Sequence, residues 1–141
     1  MPGASPYLEL EAEVSSLGEV TEFIRKGARE ASLPVERVSE LDLLIEEIFM
    51  NVCRHAYPDG IPGVVRITYS VSLAGELKVE VADQGIEFNP LEAGPANTTL
   101  DLEHRPIGGL GICLLKTLAP SLSYCREGGW NRLSFGISGD S

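Results

Sequence analysis

The chain has 141 residues, with 21 acids against 11 bases and a net charge of −10. That is the length of one domain, expected to span residues 1–141, and the wrong charge for gripping nucleic acid or an anionic membrane, which needs clustered Lys and Arg. Hydrophobic residues at 43% and charged residues at 23% exclude a disordered chain.

Residues 1–6 lack the basic and apolar regions of a signal peptide, and no apolar run approaches the ~20 residues of a membrane helix. Cys53, Cys113 and Cys125 form no CxxC pair, which points to free thiols in a reducing cytoplasm. The charge is uneven: residues 1–47 hold eleven acids against four bases, and residues 48–141 ten against seven. The acidic first third is expected to form a protein-binding face.

In chain order, Leu8, Leu10, Ala12 and Val14 alternate as in a half-buried strand. Ser16 and Glu19 have the spacing of a capping box, followed by Leu17, Val20, Ile24, Ala28 and Ala31 at helical intervals. Pro34 suits the first turn of a second helix, Val35 to Ala56, with Val38, Leu41, Ile45, Ile48 and Val52 as its core stripe. Pro58-Asp59-Gly60 ends it. Strands over Val64–Leu73 and Glu76–Ala82 form a hairpin at Ala74-Gly75. Asp83 to Pro106 has no periodicity, as in a lid or binding loop. Gly108 opens a short helix ending at Pro120, and Leu122–Glu127 and Trp130–Ile137 form a last hairpin about Gly128-Gly129. Strands in adjacent pairs fit an α+β fold, a two-layer sandwich of a mixed sheet with helices on one face.

Three segments have the residue types for chemistry. Glu47, Asn51 and His55 lie four apart on one helical face. An amide oxygen suits Mg²⁺, which is usually held by one or two protein groups plus phosphates, and a glutamate one turn away can deprotonate a hydroxyl. A solvated helix face would give the same spacing. Asp83-Gln84-Gly85 follows a strand, where a carboxylate can accept from the exocyclic amine of adenine and a glycine permits close approach of a flat ring; a plain turn leaving the sheet is the alternative. Gly108-Gly109-Leu110-Gly111 at a helix start presents free N–H groups to phosphate, or serves as a hinge.

Rival motifs fail. Lys116-Thr117 follows leucine rather than glycine, position 114 is leucine where a dinucleotide fingerprint needs glycine, and Cys53 with His55 lacks further zinc ligands at suitable spacing.

Together the segments resemble the GHKL (gyrase, Hsp90, histidine kinase, MutL) ATPase superfamily. Glu47-x-x-x-Asn51-x-x-x-His55-Ala56-Tyr57 is similar to its N box, Asp83-x-Gly85-x-x-Phe88-Asn89-Pro90 to its first glycine box, and Gly108-Gly109-Leu110-Gly111-Ile112 to its second. Asn131 to Phe135 resembles its closing strand. His-Ala-Tyr and the stand-alone length resemble the anti-sigma-factor serine/threonine kinases (RsbW-like).

The resemblance implies a Bergerat, histidine-kinase-like ATPase fold using ATP and Mg²⁺. Asp83 with Gly85 would read adenine, Asn51 would hold Mg²⁺, and amides around Gly109 and Gly111 would cradle phosphates beneath a lid of residues 91–107. Glu47 would be the general base acting on a partner's serine, and Arg54 or Arg105 would reach phosphate. The implied partners are an anti-anti-sigma protein as substrate, a sigma factor, and a second copy in a homodimer. The alternatives are a non-catalytic, ATP-gated protein-binding module and a stand-alone ATPase domain of a two-component system.

Overall fold

The computed structural model describes residues 6–57, 63–89, 91 and 116–139. Strand β1 (Tyr7–Glu11) leads through a 3₁₀ turn (Val14–Ser16) into helices α1 (Leu17–Glu30) and α2 (Val35–His55), followed by strands β2 (Val64–Val71), β3 (Leu77–Asp83), β4 (Ser123–Glu127) and β5 (Trp130–Ile137). The sheet order is β1-β2-β3-β5-β4, and the helices pack on one face of it.

All four pairings are antiparallel. The expected mixed sheet is therefore mixed in connectivity rather than in strand direction. Two tight hairpins pair antiparallel by construction, and α1 plus α2 return the chain so that β1 also runs against β2.

The first strand is shorter than its alternation. It ends at Glu11, where the chain folds back with the Glu13 N–H on the Glu11 carbonyl at 2.8 Å, after one last bond from the Ala12 N–H to the Gly63 carbonyl at 2.9 Å. The capping box does not form: Ser16 precedes α1 with helical backbone angles and no side-chain cap bond, because the 3₁₀ turn already feeds the helix. Pro34 stands just before α2 with extended backbone, outside the first turn. Ser32 takes a left-handed φ of 56° after α1, where its N–H bonds the Arg29 carbonyl and that of Leu33 bonds Ala28.

The core lies between the helices and the inner face of the sheet. Leu41, Leu44, Ile45, Ile48 and Phe49 of α2 are fully buried against Val65, Ile67, Val79 and Val81. Each such side chain contributes about 1.5–3 kcal/mol relative to exposure. Leu44 and Phe49 widen the stripe read from periodicity, because α2 packs against both α1 and β3. In β5 every second residue faces this layer, with Asn131, Leu133, Phe135 and Ile137 all buried. Gly128 and Gly129, at φ 59° and 84°, make the tight turn that matches the twist of β4 and β5.

Candidate nucleotide site

The C-terminal half of α2, the end of β3 and the last hairpin converge on one cavity. It is lined by Asn51, Val52 and Ala56 of the helix side, Asp83, and Tyr124 with Asn131 of the hairpin. Its free space is about 30 Å³, enough for two or three waters. A purine exceeds that, so base entry requires the wall to open.

The base end is held by close backbone contact. The Ile86 N–H bonds the Ala56 carbonyl at 2.9 Å, which presses Gly85 onto the end of α2. A Cβ at Gly85 would lie 2.1 Å from the Ala56 oxygen. The glycine expected to admit a flat ring is thus required first by the helix beside it. Tyr57 closes the same junction: its hydroxyl donates to the Val64 carbonyl at 2.6 Å and accepts from the Gln84 N–H at 2.8 Å. Phe88 stacks on His55 with ring centroids 4.6 Å apart, and burial together with the Arg54 charge pushes the imidazole below its usual range.

Asp83 is 5% exposed and its Oδ1 accepts from the Gly85 N–H at 2.9 Å and from Asn131 Nδ2 at 2.8 Å. The turn alternative is what the hydrogen bonds show, and it leaves the carboxylate buried at the end of β3. Burial lifts the carboxyl above the usual carboxylate range, while Asn131, the Gly85 amide and the Arg126 charge pull it back.

Asn131, also 5% exposed, was not singled out as a site residue by its sequence motif. A legible signal existed: it is the one polar side chain at an inward position of an otherwise apolar strand face, and a buried polar group demands partners. Arg126 is a second addition, its Nη1 donating to the Gly85 carbonyl at 2.8 Å. Of the two arginines that the sequence points to, Arg54 lies in the last turn of α2 and Arg105 lies outside the described residues.

The other wall carries Asn51, with Glu47 one helical turn before it on α2. Among the described residues, Glu47 Oε2 and Asn51 Nδ2 are buried without a hydrogen-bond partner. Burial raises the Glu47 carboxyl, Glu46 raises it further, and Arg54 opposes both; burial acts most strongly. Arg54 thus acts electrostatically on Glu47, on the same helix. Gly109, Gly111, Arg105 and the segment 92–107 lie outside the described residues.

The donor set suits Mg²⁺ in a phosphate-bound setting. An amide oxygen and a carboxylate are hard oxygen ligands, and Glu47 Oε2 has no partner among the described residues. The unpartnered Asn51 atom is Nδ2, a donor; with the amide turned over, its oxygen stands there and can face a cation.

Sheet topology, the helix pair on one face and a carboxylate at a strand end beside an Asn-bearing helix define a nucleotide-binding α+β domain. Residues 10–137 match the histidine kinase-like ATPase domain family, and the chain belongs to that family. It is 30% identical to the serine/threonine-protein kinase BtrW of Bordetella bronchiseptica over 94 residues, 67% of this chain and 66% of that one. With the serine-protein kinase RsbW of Bacillus thuringiensis it shares 26% identity over 131 residues, 87% of this chain and 81% of the relative. Within that family the chain is similar in sequence to these serine kinases.

Among solved structures, the RsbU and RsbW domains of a Mycobacterium tuberculosis protein superpose with a TM-score of 0.63 at 15% identity, over 94% of this chain and 32% of that chain. The histidine kinase domain of the blue-light activated kinase of Erythrobacter litoralis gives 0.56 at 22% identity, over 87% of this chain and 59% of that one. Both likenesses are of fold.

Proposed function

We propose that the protein is an ATP-dependent serine/threonine protein kinase and anti-sigma factor whose substrate is a small anti-anti-sigma protein. The observation that carries this reading is the pair of buried, unpartnered polar atoms on Glu47 and Asn51. In a finished core such atoms are costly, about 1–3 kcal/mol each. At a nucleotide site they are the groups that ligand and substrate will use.

In this reading Asp83 accepts from the purine amine. Asn51 holds Mg²⁺, which supplies charge neutralisation to the phosphates. The Glu47 carboxylate takes the proton from a serine hydroxyl of the partner as that oxygen forms its bond to the γ-phosphorus and the bond to ADP breaks. Positioning and charge stabilisation carry most of such a transfer. Amides near Gly109 and Gly111 cradle the phosphates, Arg54 and Arg105 supply positive charge, and the acidic first third of the chain faces the protein partner. Homodimerisation belongs to the same reading, through the RsbW-like resemblance.

A test separates this from an ATP-gated binding module that transfers nothing. Glu47→Ala should lower phosphorylation of the partner serine by about 10²–10⁴-fold while nucleotide affinity stays within about threefold. A wild type that binds ATP–Mg²⁺ and never labels a partner gives the reading to the binding module; label that is acid-labile and on histidine gives it to a two-component ATPase domain.

A further inference from the structure

Asn131 has no hydrogen-bonding capacity left for a ligand. Its amide nitrogen donates both protons, to Asp83 Oδ1 at 2.8 Å and to the Ile86 carbonyl at 2.7 Å. Its oxygen accepts from the Tyr124 hydroxyl at 2.5 Å and from the Phe88 N–H at 3.3 Å. Two donors and two acceptor positions are the full complement of a carboxamide. The orientation is also settled by its partners. Turned over, the amide would set its oxygen against the carboxylate and its nitrogen against the Phe88 N–H, a donor.

The consequence falls on Asp83. Oδ1 accepts from both Asn131 and the Gly85 N–H, which fills its two acceptor positions. Among the described residues no donor reaches Oδ2. The buried wall of the cavity therefore offers a base one carboxylate oxygen rather than two.

We propose that Asn131 is a positioning residue that turns Asp83 into a single-acceptor carboxylate and so sets selection of adenine over guanine. The inference rests on the nucleotide-binding reading above. Adenine's pairing edge carries an exocyclic amine beside an unprotonated ring nitrogen, and one acceptor satisfies that amine. Guanine's edge carries two adjacent donors, a ring N–H and an amine, which a carboxylate receives through both oxygens. With Oδ1 full, guanine leaves one donor buried and unpaired, and an unpaired buried polar group is a strong source of discrimination. Removing the Asn131 amide returns one position on Oδ1.

The experiment is titration of ADP and GDP, each with Mg²⁺, into wild type, Asn131→Ala and Tyr124→Phe, with thermal unfolding as the check on folding. The wild type should bind ADP at least about 100-fold more tightly than GDP. Asn131→Ala should weaken ADP about tenfold and reduce the preference to about tenfold or less. Tyr124→Phe removes one of the two donors that fix the amide and should narrow the preference about threefold. It decides the matter if Asn131→Ala does not fold. A merely structural asparagine would weaken both nucleotides together and leave their ratio unchanged. An unchanged ratio in the folded variants, or a wild type that binds GDP as tightly as ADP, overturns the inference alone. A wild type that binds neither nucleotide overturns it together with the reading on which it rests.

Discussion

The two sides of the cavity are built on opposite terms: Asp83 and Asn131 line it from the sheet, and Asn51 lines it from α2, one turn beyond Glu47. On the sheet side, Asp83 and Asn131 are knit by short hydrogen bonds to each other, to Tyr124 and to the backbone of residues 85–88. On the helix side, Glu47 and Asn51 each keep a buried polar atom without a partner. A satisfied cluster rigidifies its surroundings, whereas an unsatisfied one stores the capacity to bind. The contrast separates residues that hold the site in shape from those with capacity left to bind.

The contrast is sharpest in stability. Gly85→Ala should cause the largest loss, about 3 kcal/mol or more in urea unfolding, because its Cβ would strike backbone at 2.1 Å rather than a movable side chain. Fitting that methyl without loss would mean that the junction of α2 with the post-β3 loop is loose.

Asn131→Ala should follow, at about 2–3 kcal/mol, since it takes the partner from the Ile86 carbonyl and the Tyr124 hydroxyl and leaves Asp83 Oδ1 with the Gly85 N–H alone. Asn51→Ala and Glu47→Ala remove groups that have nothing to lose, so both should lie within about 0.5 kcal/mol of wild type or exceed it. Equal losses on the two sides would erase the distinction.

A smaller effect sits in the pH profile of transfer. In the proposed reading Glu47 takes the proton as a carboxylate, so activity should fall on the acidic side as it protonates. Its carboxyl is already raised by burial, and Arg54 is the charge that lowers it. Arg54→Met should therefore move the acidic limb to higher pH, measured at saturating nucleotide so that weakened phosphate contact does not intrude. A limb that stays in place would detach Arg54 from Glu47.

Much of this was legible in the sequence where periodicity and punctuation agree. Helix α2 runs from Val35 as its apolar spacing predicts, and Trp130–Ile137 matches its strand at both ends. Failures came where a neighbour overrides a local pattern. Ser16 does not cap α1 because a 3₁₀ turn occupies its place, and β1 stops early because the Glu13 N–H turns back onto the Glu11 carbonyl. The carboxylate at Asp83 was found from its place after a strand. Its partner Asn131 was seen only as one member of a buried face, since a hydrogen bond across 48 residues leaves no local spacing to read.

The central claim, that the Asn51-bearing helix and the cavity beside it form a nucleotide site once the wall opens, is met most directly by thermal unfolding with and without ATP–Mg²⁺. A ligand that binds only the folded chain adds about 2.7 kcal/mol at a concentration 100 times its Kd. For a domain of this size that corresponds to a rise of about 5–10 °C in Tm, and it should persist in Glu47→Ala while falling away in Asp83→Ala. A Tm unchanged by ATP–Mg²⁺ at millimolar concentration would contradict the account.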